Sequence, residues 1–134
     1  MLGFIVISSF IILSIIFMMI DLKRVDKKTP YRPGGIHDCE SYIERRLYNA
    51  LVYNGYTVHT QVPCGSYRID LALPAYRVAI ECDGKAYHST PQQKAHDRRK
   101  NAYLRRHGWK VLRFSGSAIN GNLGRVLKRI NEKC

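Results

Sequence analysis

The chain has 134 residues, a mass of 15.4 kDa and a formal net charge of +12. That length allows one modest domain, and the charge favours a polyanion or an anionic membrane surface as partner while saying nothing about fold. Residues 1–20 carry no charged side chain, so all 22 Lys/Arg and 10 Asp/Glu fall in the remainder. This excludes one uniform globule, and the Tyr, Val, Ile and Leu of residues 50–115 exclude a disordered basic tail.

The opening run, MLGFIVISSFIILSIIFMMI, is long enough as a helix to span about 30 Å, the thickness of a bilayer's hydrocarbon. No basic residue precedes it and no alanine occurs before Ala50, which argues against a cleaved signal peptide. Residues 1–22 are therefore expected to form one transmembrane helix. Lys23, Arg24, Lys27 and Lys28 follow directly and place the soluble part in the cytoplasm, as a single-pass membrane protein. Residues 23–36 read as a basic Pro/Gly linker and residues 37–134 as the folded domain. Cys39, Cys64, Cys82 and Cys134 have no CxxC pairing and read as free thiols.

Within the domain, Ser41-Tyr-Ile-Glu44 is a capping box opening a helix over 42–53 that stops at Gly55. Residues 56–62 alternate as a strand, 67–73 return as a second, and 77–82 form a third after the Pro74-Ala75 turn. Thr90-Pro-Gln-Gln93 opens a second helix over 91–107. Residues 109–114 make a fourth strand, 115–121 a loop and 123–130 a last helix. The order predicts a mixed sheet between helices, with a hairpin and a helical crossover to a parallel strand.

In so basic a domain the acids are informative. Asp70 interrupts an apolar strand, while Glu81 and Asp83 share one face at the end of the central strand. A mirror across the Pro74-Ala75 turn brings Asp70 within a residue or two of Glu81. Crowded carboxylates repel unless a cation lies between them, and hard oxygen donors suit Mg²⁺ or Mn²⁺. The blander readings are an ion pair of Asp70 with Arg68 or Arg77, a plain turn at Asp83-Gly84, and a capping role for Glu44. His88 is placed to assist proton transfer or bond a phosphate, or is a surface histidine. Lys94, Arg98, Arg99, Lys100, Arg105 and Arg106, with Arg45 and Arg46, make a basic surface around the acids, suited to a phosphate backbone. Asp97 is expected to brace Lys94 or Asn101 across its helix.

The segments Tyr67-Arg-Ile-Asp-Leu-Ala-Leu-Pro and Ala79-Ile-Glu-Cys-Asp-Gly-Lys-Ala-Tyr-His, then Asp97 and Tyr103 to Ser115, resemble the DUF559 endonuclease-like domains. These are relatives of the very-short-patch repair endonucleases in the PD-(D/E)xK superfamily. The resemblance covers about residues 37–131. It implies a restriction-endonuclease-like α/β fold, a mixed sheet flanked by helices, and metal-dependent phosphodiester hydrolysis. By resemblance, Asp70 and Glu81 match the strand-borne acids, Glu44 a helix acid, and His88 a histidine of the patch-repair relatives. Asp83 stands where the general motif has lysine; Lys85, Lys94 or Lys100 could take over that role.

The combined expectation is a membrane-anchored Mg²⁺- or Mn²⁺-dependent DNA endonuclease. Asp70, Glu81 and Asp83 would hold metal, with His88 and Glu44 also in the catalytic set. Lys85, Lys94, Arg98, Arg99 and Lys100 would hold DNA, and residues 1–20 the bilayer. A homodimer would serve double-strand cleavage, although the sequence shows no dimer face. The alternatives are an inactive nucleic-acid-binding module on the same fold, or a basic membrane-surface structural protein.

Overall fold

The computed structural model describes residues 33–84 and 90–134. Ser41 caps the first helix, α1 (Tyr42–Tyr53), its hydroxyl accepting the Glu44 N–H at 3.3 Å. Ile43, Leu47 and Leu51 recur every fourth residue and are buried. Gly55, at φ +84°, lets the chain leave the helix. A hairpin follows, β1 (His59–Cys64) and β2 (Tyr67–Leu73). A 3₁₀ turn at Pro74–Tyr76 then leads into β3 (Val78–Asp83).

The second helix, α2 (Pro91–Arg106), opens with Thr90 and Gln93 capping each other and with proline in its first turn. It returns the chain to β4 (Lys110–Ser115), which lies parallel to β3. The sheet order is β1-β2-β3-β4, antiparallel at the first two interfaces. Two short helices close the chain, α3 (Gly116–Gly121) and α4 (Leu123–Asn131).

Burial divides the core by sheet face. Ile43, Leu47 and Leu51 of α1 pack with Leu71, Leu73, Ile80, Ile119, Val126 and Ile130. On the other face, Leu104 of α2 packs with Val62, Ile69, Ala72 and Ala79. The helices bearing the basic residues therefore lie on opposite faces, and Arg45 and Arg46 do not share a surface with α2 as the sequence suggested.

The transmembrane helix expected over residues 1–22 lies outside the described residues. Among those residues no helix is long and apolar enough to cross a membrane. The longest, α2, has 16 residues, about 24 Å, and carries six basic side chains. Among the described residues the fold class is therefore corrected to a mixed α/β sheet flanked by helices, with no membrane-spanning helix beside it. The expectations of a single-pass topology, a bilayer partner and a membrane localisation find no support among the described residues.

Smaller differences have local causes. The first strand begins at His59, not residue 56, because its partner β2 runs out at Leu73 before Pro74, which has no N–H to give a ladder. Residues 116–121 form a helix instead of a loop: the Ser115 hydroxyl accepts from Ala118 N at 3.2 Å, and Ile119 is buried. The expected linker over 23–36 is tied to the sheet near its end by Thr60 N donating to Gly34 O at 3.2 Å. A Cβ on Gly34 would lie 2.4 Å from Thr60 Oγ1, so only glycine permits that approach.

Candidate nucleic-acid interface and acid site

The acids gather where the hairpin meets the central strand. Leu71 faces Ile80 across the β2–β3 ladder, and one further step of that register brings Asp70 to Glu81. The ladder stops short of that pair. Asp70 Oδ2 instead accepts the Cys82 backbone N–H at 2.8 Å, so a side chain takes over as acceptor where the strands part. Opposite Asp70 in β1, Gln61 sits at φ +53°, a left-handed conformation that costs a non-glycine residue about 1 kcal/mol or more. The alternation breaks there: Leu71 packs on the α1 face while Ile69 packs on the α2 face.

Glu81 is buried on the α2 side of the sheet, in step with Ala79. Lys100 reaches in from α2, its ammonium donating to Glu81 Oε2. The lysine is itself mostly buried, with its side chain 15% exposed. The other carboxylate oxygen, Oε1, is buried without a hydrogen-bond partner among the described residues. Burial, then the nearby Asp70 carboxylate, raises the Glu81 pKa from 4.5 to about 7, against the opposing pull of Lys100. Asp70 is raised as well, chiefly by burial, and its hydrogen bond from Cys82 N opposes the rise.

Asp83 is drawn into a different pair. Arg113 of β4 donates to it through Nε at 3.0 Å and Nη2 at 2.5 Å, a two-pronged grip on the carboxylate. The same guanidinium reaches Asp97 at 3.0 Å. Hydrogen bonding to Asp83 raises the already high pKa of Arg113 further. Asp97 therefore braces β4 and does not pair along its own helix with Lys94 or Asn101. Glu44 is occupied three times over: it accepts from Ser41 Oγ at 2.7 Å, Glu40 N at 3.0 Å and Gln61 Nε2 at 2.9 Å. Its role is to close the first turn of α1 and hold the irregular β1 backbone.

Of the predicted site residues, Asp70, Glu81 and Lys100 come together, Asp83 joins a neighbouring pair, and Glu44 belongs to the helix cap. Neither Arg68 nor Arg77 pairs with Asp70. Arg68 binds Glu40 at 2.5 Å, and Arg77 donates to His107 O at 2.6 Å and lies over the Trp109 ring. Lys85 and His88 lie outside the described residues. Arg113 and Gln61 were not anticipated. A charged residue between buried Leu112 and Phe114 was the available signal for Arg113; Gln61 had none, because its role depends on backbone shape.

Among the described residues, no group of three or more His, Cys, Asp or Glu side chains could hold a metal ion. Only Asp70 and Glu81 converge, and a lysine ammonium already binds one of them. The three acids expected to hold Mg²⁺ or Mn²⁺ are divided in the described structure: Arg113 holds Asp83, and a cation would compete with Lys100 for Glu81.

The outer face of α2 is open. Arg98, Arg99 and Arg106, with Tyr67 and Tyr103, line a hollow of about 480 Å³. Beside it runs a chain of rings, His96 to Tyr67 at 5.7 Å, Tyr67 to Tyr103 at 5.2 Å and Tyr103 to His107 at 4.1 Å. Lys94, Arg98 and Arg99 are exposed and make no ion pair among the described residues. Cations beside ring faces suit phosphates and bases together.

The sequence pattern of the REase_MTES_1575 family matches residues 43–133. The Escherichia coli (strain K12) "Uncharacterized protein YcjD" is 34% identical over 90 residues, covering 65% of this chain and 74% of that protein. Among solved structures, the catalytic domain of the homing endonuclease I-Bth0305I superposes with a TM-score of 0.59 at 22% identity. That match covers 70% of this chain and 94% of the other.

Proposed function

Because the chain belongs to the REase_MTES_1575 family, with the restriction-endonuclease-like PD-(D/E)xK fold, we propose that it is a nucleic-acid-binding module on a nuclease fold. The observation that carries this reading is the closure of the acid site from within. Lys100 is spent on Glu81 and Arg113 on Asp83, while Arg98 and Arg99 on the outer face of α2 remain unpaired among the described residues. This corrects the expectation of a membrane-anchored metal-dependent endonuclease: among the described residues no helix is long and apolar enough to cross a membrane, and Glu81 and Asp83 are each matched to an internal cation. The fold supplies the platform, the basic face of α2 the phosphate contacts, and Tyr67, Tyr103 and the neighbouring histidines the ring faces.

The test is duplex binding by the full chain at several salt concentrations, with and without Mg²⁺, alongside a cleavage assay on the same DNA. Binding should occur without Mg²⁺ and weaken steeply with salt. Arg98→Ala with Arg99→Ala should reduce the slope of log affinity against log salt by about one to two. A slope unchanged by the double substitution would remove α2 from the interface. Mg²⁺-dependent cleavage abolished by Asp70→Asn would overturn the binding-module reading and restore a hydrolytic one.

A further inference from the structure

We infer that the outer face of α1 is a second nucleic-acid site, taking a short single-stranded segment whose bases stack on Tyr42 and Tyr53. The inference rests on the nucleic-acid reading above but uses the opposite face of the sheet. A groove of about 850 Å³ runs between α1 and α4, its floor built from Ala50, Leu123 and Leu127. Its α1 wall carries Tyr42, Arg46, Asn49 and Tyr53, spaced by four, three and four residues, which is one stripe of a helix.

The two rings mark the ends of this stripe and are far more exposed than tyrosine in a domain of this size requires: Tyr42 is 62% exposed and Tyr53 92%. Neither has a hydrogen bond or ring partner among the described residues. At 1.5 Å rise per residue they stand about 16 Å apart, room for about five nucleotides at 3.4 Å per stacked nucleotide.

Charge selects the occupant. Arg45 and Arg46 lie between the rings, and among the described residues no carboxylate lines the groove. Arg45 Nη1 donates to Cys39 O at 3.2 Å and Arg46 Nε to Ile119 O at 3.3 Å. Both partners are backbone carbonyls, so each guanidinium is positioned while its charge stays uncompensated, and it keeps donors for a phosphate. Two copies of this chain meeting symmetrically through the groove would bring like-charged arginines together, which disfavours self-association here. Rings at both ends with arginines between them is the alternation that a backbone with splayed bases requires.

The experiment is fluorescence anisotropy of the full chain with a labelled 15-nucleotide oligothymidine and, separately, a 20-base-pair duplex. Both rings are exposed, so Tyr42→Ala with Tyr53→Ala should leave the circular dichroism spectrum and melting midpoint unchanged. It should weaken single-strand binding on the order of 10-fold per ring, and leave duplex binding through α2 intact. Tyr42→Phe with Tyr53→Phe should restore the affinity, because stacking needs the ring and not the hydroxyl. Equal single-strand affinity in wild type and the alanine variant overturns the groove and leaves the α2 reading standing. If the wild-type chain binds neither probe, both readings fall. A concentration-dependent dimer abolished by the alanine variant, with single-strand binding unaltered, would assign the face to a second copy and overturn the proposal.

Discussion

The acid end of β3 and the groove beside α1 treat their cations in opposite ways. In the first, Lys100 and Arg113 are bound by carboxylates, and their positive charge is neutralised within the protein. In the second, Arg45 and Arg46 are held by carbonyl oxygens that orient them without neutralising them. The formal charge of +12 cannot distinguish these cases. What matters for a polyanion is which cations lack a carboxylate. Residue type alone would have placed Lys100 and Arg98 in one class; two positions along the helix separate an inward cation from an outward one.

Removing the inward cation gives the sharpest break in this contrast. Lys100→Met keeps most of the side chain's bulk and leaves Glu81 buried beside Asp70 without its hydrogen-bonded cation. Breaking a buried pair by removing one partner costs about 3–5 kcal/mol. Glu81 escapes part of that cost by holding its proton, so the loss should be larger at pH 8 than at pH 5. Thermal unfolding at the two pH values checks this. An equal loss at both would mean that the lysine contributes packing and not charge. Repeating the melts with Mn²⁺ extends the test. A cation that raises the midpoint of Lys100→Met alone would show the ammonium holding the position that a metal would otherwise take. A rise in wild type as well would show that the pair yields to metal.

The second prediction follows the Glu81 proton. Its folded pKa, about 7, lies above its unfolded value of 4.5, so the folded state binds more protons between those limits. The stability it contributes is fully present below about pH 4.5 and is lost as pH rises through about 7. At 1.36 kcal/mol per pK unit the full span is about 3 kcal/mol. Glu81→Gln keeps the shape without titrating and should flatten most of this fall, leaving the smaller slope from Asp70. Chemical denaturation from pH 4 to pH 8 measures it. A wild-type stability that increases over that range would reverse the sign and place the ionised pair in control.

Much of this arrangement was legible in the sequence, for identifiable reasons. The helix over 42–53 and the strand over 67–73 each have strong local punctuation, a cap at one end and a turn at the other, and both match the structure's bounds. The placing of Glu81 and Asp83 on one face follows from strand period, and Lys100 was among the lysines within reach of the acids. The partnerships were not legible. Arg113 meets Asp83 because β4 lies parallel beside β3, with Glu81 opposite Arg113 and Asp83 opposite Ser115, a pairing between strands far apart in sequence. Gln61 reaches Glu44 because its backbone adopts a left-handed turn for which no residue type near it is a marker. The division of basic residues between two faces is equally a product of topology, since α1 and α2 both carry arginines and differ in which side of the sheet they cover.

The smallest effect tests whether Glu44 stands with the acid site or with the helix cap. The Ser41 hydroxyl accepts the Glu44 N–H and donates to Glu44 Oε1, so it serves both the helix terminus and the carboxylate. Ser41→Ala removes both contacts, and loss of such a cap costs about 1 kcal/mol. Glu44 is buried, but Glu40 N and Gln61 Nε2 still donate to its other oxygen, so the carboxylate keeps most of its support. Urea unfolding should show the loss as a lower midpoint with an unchanged slope. The acids around Glu81 are fixed by Lys100 and the sheet register, and neither depends on Ser41. Ser41→Ala should therefore leave the pH dependence of stability between 4.5 and 7 intact, shifting the whole curve down without changing its form. A change of form would mean that the helix cap belongs to the acid site.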